Sequence, residues 1–216
     1  AVIGKYGDTT VLVTVVMGSE DRDIDYMPLT VDYEERFYAA GKVLGSRFIR
    51  REGRPSDEAV LSGRLVDRAV RPLFDHRLKR DMQLVVTILS YDEENDPDFV
   101  ALNTASVAFL ISDIPWNGPV SGVKVAKIDG HLVINPKLSE LSSHQVEFET
   151  FVAGSKGKIN MIELGGDDAK EEEVVEAFKM AEKEISKILA FQEKIGKEIG
   201  RKKTEVEFKN PAAEVK

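Results

Sequence analysis

Phe48-Ile49-Arg50-Arg51-Glu52-Gly53-Arg54-Pro55-Ser56, followed by Arg64-Leu65-Val66-Asp67-Arg68-Ala69-Val70-Arg71-Pro72-Leu73-Phe74, is the stretch that decides how this chain is read. Between Arg47 and Arg54 lie four arginines, one aromatic ring and a glycine. Guanidinium forks and a flat ring suit the phosphates and bases of a single-stranded nucleic acid. Ser56 after Pro55 is a helix-start signal and Pro72 a stop. On the helix between them, Leu61, Leu65 and Ala69 share one face, and Arg64, Arg68 and Arg71 share a neighbouring one. From Lys42 to Arg80 there are eleven basic and five acidic side chains, whereas the whole chain carries a formal net charge of −8. A basic island on an acidic protein points to an aimed polyanion site.

Working outward, residues 1–6 and 9–17 read as strands joined by a hairpin at Gly7-Asp8. An acidic loop over 18–25 and a strand pair or extended segment over 26–34 follow. The stretch 36–56 has little periodicity and reads as a long loop, of the kind that is usually functional inside a compact domain. A strand is expected over 82–91. Asp96 caps a helix over 97–113 with Pro97 at its first position, and the near-absence of polar residues predicts that this helix is buried. Pro115-Trp116-Asn117-Gly118-Pro119 reads as a rigid turn. Strands are expected over 121–128, 131–135, 146–153 and 157–164, with Asp129-Gly130 as a hairpin turn. Gly165-Gly166 reads as a hinge into a helix over 168–199, where Gln192 interrupts an apolar stripe. Residues 201–216 read as a polar tail. Hairpins before and after helices give a mixed α/β (α+β) domain.

At 216 residues, with 42% apolar and 31% charged residues, the chain has the composition of a soluble globular protein. No apolar run is long enough to cross a membrane. The absence of cysteine fits a reducing compartment, and the cytoplasm is the expected location. His76, His131 and His144 are scattered, read as surface residues, and do not suggest a zinc site. The carboxylate-rich loops at 20–25 and 92–96 lack calcium-loop spacing, so no metal-ligating residue is assigned.

In chain order, Tyr6-Gly7-Asp8-Thr9, Gly41-Lys42, the arginine stretches above, Ile114-Pro115-Trp116-Asn117-Gly118-Pro119 and Val152-Ala153-Gly154 resemble the first RNase PH-like core domain of the polynucleotide phosphorylase family. The resemblance spans roughly the whole chain. It implies the RNase PH fold, of ribosomal protein S5 domain 2-like architecture. The first core domain is expected over 1–165, and the start of an all-helical linker segment over 166–216. For the complete enzyme it implies 3′-to-5′ phosphorolysis of RNA, inorganic phosphate as co-substrate, Mg²⁺, a homotrimeric ring and RNA degradosome partners. RNA gripping then falls on Phe48, Arg50, Arg51 and Arg54, with Arg68 as a phosphate contact. Ile49 stands where the family often has a second aromatic. For the loop, the other reading is a solvated segment whose arginines pair with Glu52, Asp57 and Glu58. For Arg68 it is a salt bridge, to Asp75 for example.

No catalytic residue is assigned. Active family members open the helix matching 97–113 with a serine- or threonine-bearing segment, whereas this chain reads Asn95-Asp96-Pro97-Asp98. Two like charges about 4 Å apart repel by roughly 4 kcal/mol at an effective dielectric near 20, so these carboxylates disfavour phosphate. Glu149 matches an aspartate found before Val-Ala-Gly in active cores, with Glu147 on the same strand face. The expectation is a gripping domain, inactive alone, with the active site in a second core. A stand-alone, non-catalytic RNA-binding ring subunit is the alternative.

Overall fold

A computed structural model describes residues 1–42, 54–206 and 208. Two four-stranded sheets sandwich one apolar helix. The first sheet holds β1 (Val2–Tyr6), β2 (Thr9–Asp21), β3 (Leu29–Glu34) and β4 (Arg80–Ser90) in the order β1-β2-β4-β3. Only β3 runs parallel to its neighbour, β4; the other pairs are antiparallel. The period-two alternation of Val11 and Val13 on β2, and of Met82, Leu84, Val86 and Ile88 on β4, points these side chains to one buried face. The second sheet is antiparallel throughout, with β5 (Ser121–Ile128), β6 (His131–Ile134), β7 (Val146–Ser155) and β8 (Lys158–Gly166) ordered β6-β5-β7-β8.

Helix α1 (Asp57–Val70) packs on β3, and α4 (Glu171–Ile199) packs on β5 and β7. Helix α2 (Pro97–Ile111) lies between the layers, against β1, β2, β5, α1 and α4. Its buried residues run from Val100 to Phe109 with little regard to helical face, as its uniform apolarity predicts. Gly4 of β1 lies so close to Thr104 of α2 that any Cβ would collide with that side chain. The polar residues of α2 are each used. Ser106 donates to Gln192 of α4 at 2.6 Å and accepts from the Val120 N–H at 3.0 Å. Asn103 accepts from Ser121 at 2.7 Å and from Gln192 at 3.1 Å. The Gln192 interruption is therefore a buried, satisfied tie between α4, α2 and β5.

Trp116 of the 115–119 turn is buried against Phe74 and Phe109, and its indole N–H donates to the Val70 carbonyl at 3.1 Å. The Tyr6-Gly7-Asp8-Thr9 turn, with Gly7 at φ 59°, is clamped by Asp92, which accepts from the Asp8 N–H and the Thr9 hydroxyl, both at 2.9 Å. Burial opposes ionisation of Asp92. Further bonds from Asn95, with the backbone N–H groups of Asp8 and Glu94, outweigh it and hold this carboxyl well below its ordinary range.

Several expectations are corrected. The acidic segment after residue 17 is not all loop: β2 continues to Asp21, because Asp21 pairs with Arg80 in register and by an ion pair of 2.9 Å. Residues 26–34 hold a single strand, since β4 offers β3 one free edge. Gly165 and Gly166 are no hinge; they pair with Glu149 and Phe148 at the end of β8. The short helix α3 (Leu138–Ser143) is too brief to leave a periodic signal. Leu61 faces outward, 59% exposed, while Gly63 lies against Val31 and Tyr33 of β3. The three histidines are exposed.

The polar tail is also corrected, over residues 201–206 and 208. Val206 and Phe208 pack on the core of the first sheet, and Phe208 lies under the Arg77 guanidinium at 4.6 Å. Lys203 donates to the carbonyls of Phe109, Leu110 and Ser112 at 2.7, 3.1 and 2.8 Å, capping the end of α2. Loss of these bonds in Lys203→Met is expected to cost about 1–3 kcal/mol. The check is a fall of several degrees in melting temperature.

Candidate nucleic-acid interface

The first described residue after the arginine loop is Arg54, and Ser56 then caps α1 by accepting the Ala59 N–H at 3.0 Å. Burial of Ala59, Gly63, Leu65, Val66, Ala69 and Val70 leaves Val60, Leu61, Arg64 and Arg68 on the outer surface of α1. Phe48, Arg50 and Arg51 lie outside the described residues.

The described arginines from Arg22 to Arg80 fall into two sets. Arg22, Arg36, Arg71, Arg77 and Arg80 each hold a carboxylate within 3.0 Å, on Asp81, Glu34, Asp67, Asp75 and Asp21 respectively. Arg71 goes further. Its fork takes both Asp67 oxygens, at 2.9 and 2.6 Å, and it donates to the Leu29 carbonyl at 3.0 Å, so it fastens α1 to β3. Arg54, Arg64 and Arg68 are exposed and make no ion pair or hydrogen bond with another described residue. Of the three arginines that the helical repeat aligns, the structure thus turns Arg71 inward and leaves Arg64 and Arg68 outward. Asp75 is taken by Arg77, and Asp67 by Arg71, so neither neutralises Arg68.

Arg54 and Arg64 border a cleft of about 1220 Å³ between β3, α1 and the start of α2. Lining it is a part-buried carboxyl that the sequence presents only as a negative charge. Asp98 accepts from Tyr33 Oη of β3 at 2.8 Å and from Ser62 Oγ of α1 at 2.9 Å. Burial, then the neighbouring Asp96 charge, push Asp98 up to about 6, against the bonds from Tyr33 and Ser62 and the Lys124 charge. Burial, then Asp98, also raise Tyr33 well above its ordinary range, so Tyr33 remains a donor. Asp96 caps α2 by accepting the Asp98 N–H at 2.9 Å, and its other oxygen meets Lys124 of β5 at 2.6 Å. At the helix start, Asp96 thus occupies the Asp98 N–H, and Pro97 has no N–H to offer. Glu147 and Glu149 do share a strand face, but each meets a lysine: Lys127 at 2.7 Å and Lys124 at 3.8 Å. Among the described residues, no group of three or more His, Asp or Glu side chains is placed to hold a metal ion. Tyr33, Ser62 and Lys124 escaped the sequence reading; the one signal was a lysine interrupting the apolar run of β5.

This chain belongs to the 3′ exoribonuclease family: domain 1 of that family matches residues 1–115, and domain 2 matches residues 118–184. Its sequence is similar to those of polyribonucleotide nucleotidyltransferases. The protein from Halothermothrix orenii is 47% identical over 205 residues, covering 95% of this chain and 29% of that one. The protein from Heliobacterium modesticaldum is 45% identical over 217 residues, covering 99% of this chain and 30% of that one. The chain thus spans under a third of the length of these relatives. Rice Rrp46 shares the fold, with a TM-score of 0.70 at 12% identity over 89% of this chain and 86% of its own. The mixed α/β architecture expected from the sequence is therefore the RNase PH fold.

The raised Asp98 gives a signed pH prediction. Below about pH 4 the carboxyl is neutral both folded and unfolded, and its contribution to stability is fully present. As pH rises through about 6 the folded state resists ionisation, and about 3 kcal/mol is lost. Asp98→Asn is expected to remove this loss. Urea unfolding of both proteins from pH 4 to pH 8 should show the variant gaining on the wild type as pH rises.

Proposed function

We propose that this chain is the first core domain of a polyribonucleotide nucleotidyltransferase and that it grips single-stranded RNA. The observation that carries this reading is the contrast among the arginines. On a chain with eight surplus negative charges, Arg54, Arg64 and Arg68 remain exposed with no carboxylate partner among the described residues, beside a segment that holds Arg47, Arg50 and Arg51. Unpaired forks clustered on one surface are ready to take phosphates. Phe48, Arg50, Arg51 and Arg54 are proposed as the RNA grip, with Arg64 and Arg68 extending it along α1 as phosphate contacts.

The complete protein is proposed to shorten RNA from the 3′ end. Inorganic phosphate attacks the terminal phosphodiester, and a nucleoside diphosphate leaves. The phosphorolytic centre, with Mg²⁺, is assigned to a second core domain, and the assembly to a homotrimeric ring in the cytoplasm, open to degradosome partners. Within this chain, residues 1–165 are proposed as the core unit. Segment 166–216, starting with α4, is proposed to lead into a helical linker while keeping its apolar face on that core. The assignment of chemistry elsewhere rests on the start of α2: Asp96 occupies the Asp98 N–H, Pro97 offers none, and the Asp96 carboxylate disfavours an incoming phosphate.

Two measurements test the reading. With poly(A), phosphate and Mg²⁺, this chain is expected to bind RNA without releasing nucleoside diphosphate; phosphate-dependent release would place chemistry in this domain. Alanine at Arg64 or Arg68 is expected to lower the slope of log affinity against log salt by about 0.7 each. Slopes equal to that of wild type would take those residues off the RNA path.

A further inference from the structure

Lys124 projects from the middle of β5 toward the start of α2 and the edge of β7. Its Nζ stands 2.6 Å from Asp96 and 3.8 Å from Glu149. The Lys124 and Asp96 side chains are each 18% exposed, and Glu149 47%. Burial works against the ammonium, but Asp96 first, then Glu149 and Asp98, overcome it and raise its pKa. One positive charge is thus held between carboxylates contributed by the α2 start and by β7. That is the place a hard cation takes when carboxylates of neighbouring elements converge, and one or two such carboxylates with waters suffice for Mg²⁺.

The family resemblance implies Mg²⁺, and the donor set here does not fit it. One Asp96 oxygen is taken by the Asp98 N–H and the other by Lys124, while Asp98 is occupied by Tyr33 and Ser62. A divalent ion reaching Asp96 and Glu149 would sit against an ammonium of the same sign.

We propose that Lys124 is a built-in counter-ion that takes the place of a divalent cation at the start of α2 and excludes one. The proposal deepens the reading that this domain grips RNA without chemistry of its own. It also gives the carboxylates of this site a role: with Lys124 they tie β5 and β7 to α2 independently of any metal.

The experiment is a Mn²⁺ titration of the chain, without RNA or phosphate, read by the electron paramagnetic resonance of free Mn²⁺. Wild type and Lys124→Arg are expected to show no site that depends on Glu149. Lys124→Ala is expected to gain one, at least about tenfold tighter than any in wild type, and Glu149→Gln in that background is expected to abolish it. A wild-type site removed by Glu149→Gln overturns the proposal, and so does a folded Lys124→Ala that gains nothing. Lys124→Gln, which keeps a donor for Asp96, guards against loss of structure. Mn²⁺ should raise the melting temperature of the alanine and glutamine variants but not of wild type; an equal response in all three overturns the proposal. Because no RNA is present, this result is independent of the salt-slope test.

Discussion

Helix α2 has almost no polar face, and this single property constrains the architecture. A helix apolar all round cannot lie on a surface, so it must be enclosed by other elements on every side. The first sheet covers one side, the second sheet and α4 cover another, and α1 closes a third. Enclosure leaves only the two ends of α2 near solvent, where backbone groups lack helical partners. Both ends are closed by side chains. Asp96, held by Lys124, closes the start, and Lys203 closes the finish. The start of α2 therefore lines the cleft beside the arginines, but with its Asp98 N–H already taken by Asp96 and with Pro97 offering none.

Electrostatics separates structure from binding in the same way. Two of the paired arginines fasten elements: Arg71 ties α1 to β3, and Arg80 extends β2. A paired guanidinium has little left to offer a phosphate. The outward arginines of α1 differ in having no carboxylate partner among the described residues, and that difference is geometric. Four residues make slightly more than one helical turn, so Arg64 and Arg68 stay on the outer surface, while Arg71 is rotated onto the carbonyls of β3.

The enclosed polar groups have their own accounting. Gln192, Ser106, Asn103 and Ser121 make a closed set of bonds in the layer between α2, α4 and β5. Such a set specifies how α4 sits, because any rotation would strand buried donors and acceptors. The same reasoning applies to Asp98, whose two hydroxyl partners come from different elements and hold α1, β3 and α2 in one arrangement.

The sequence by itself determined the elements whose signals are local. These are the alternating strands, the Ser56 and Asp96 caps, the hairpin turns at Gly7 and Gly130, and the burial of α2 by its composition. It also determined that a basic cluster exists on an acidic chain, and its ordered motifs pointed to the family. Only the tertiary structure decided which of the described arginines pair with Asp67 and Asp75. It alone showed that Gly165 and Gly166 are paired strand residues, that the tail beyond Gly200 docks, and that Lys124 sits between Asp96 and Glu149. The physical reason is range. Capping, turn geometry and hydrophobic period act within a few residues of the chain, whereas charge pairing and the satisfaction of buried donors depend on elements the fold brings together from far apart in sequence.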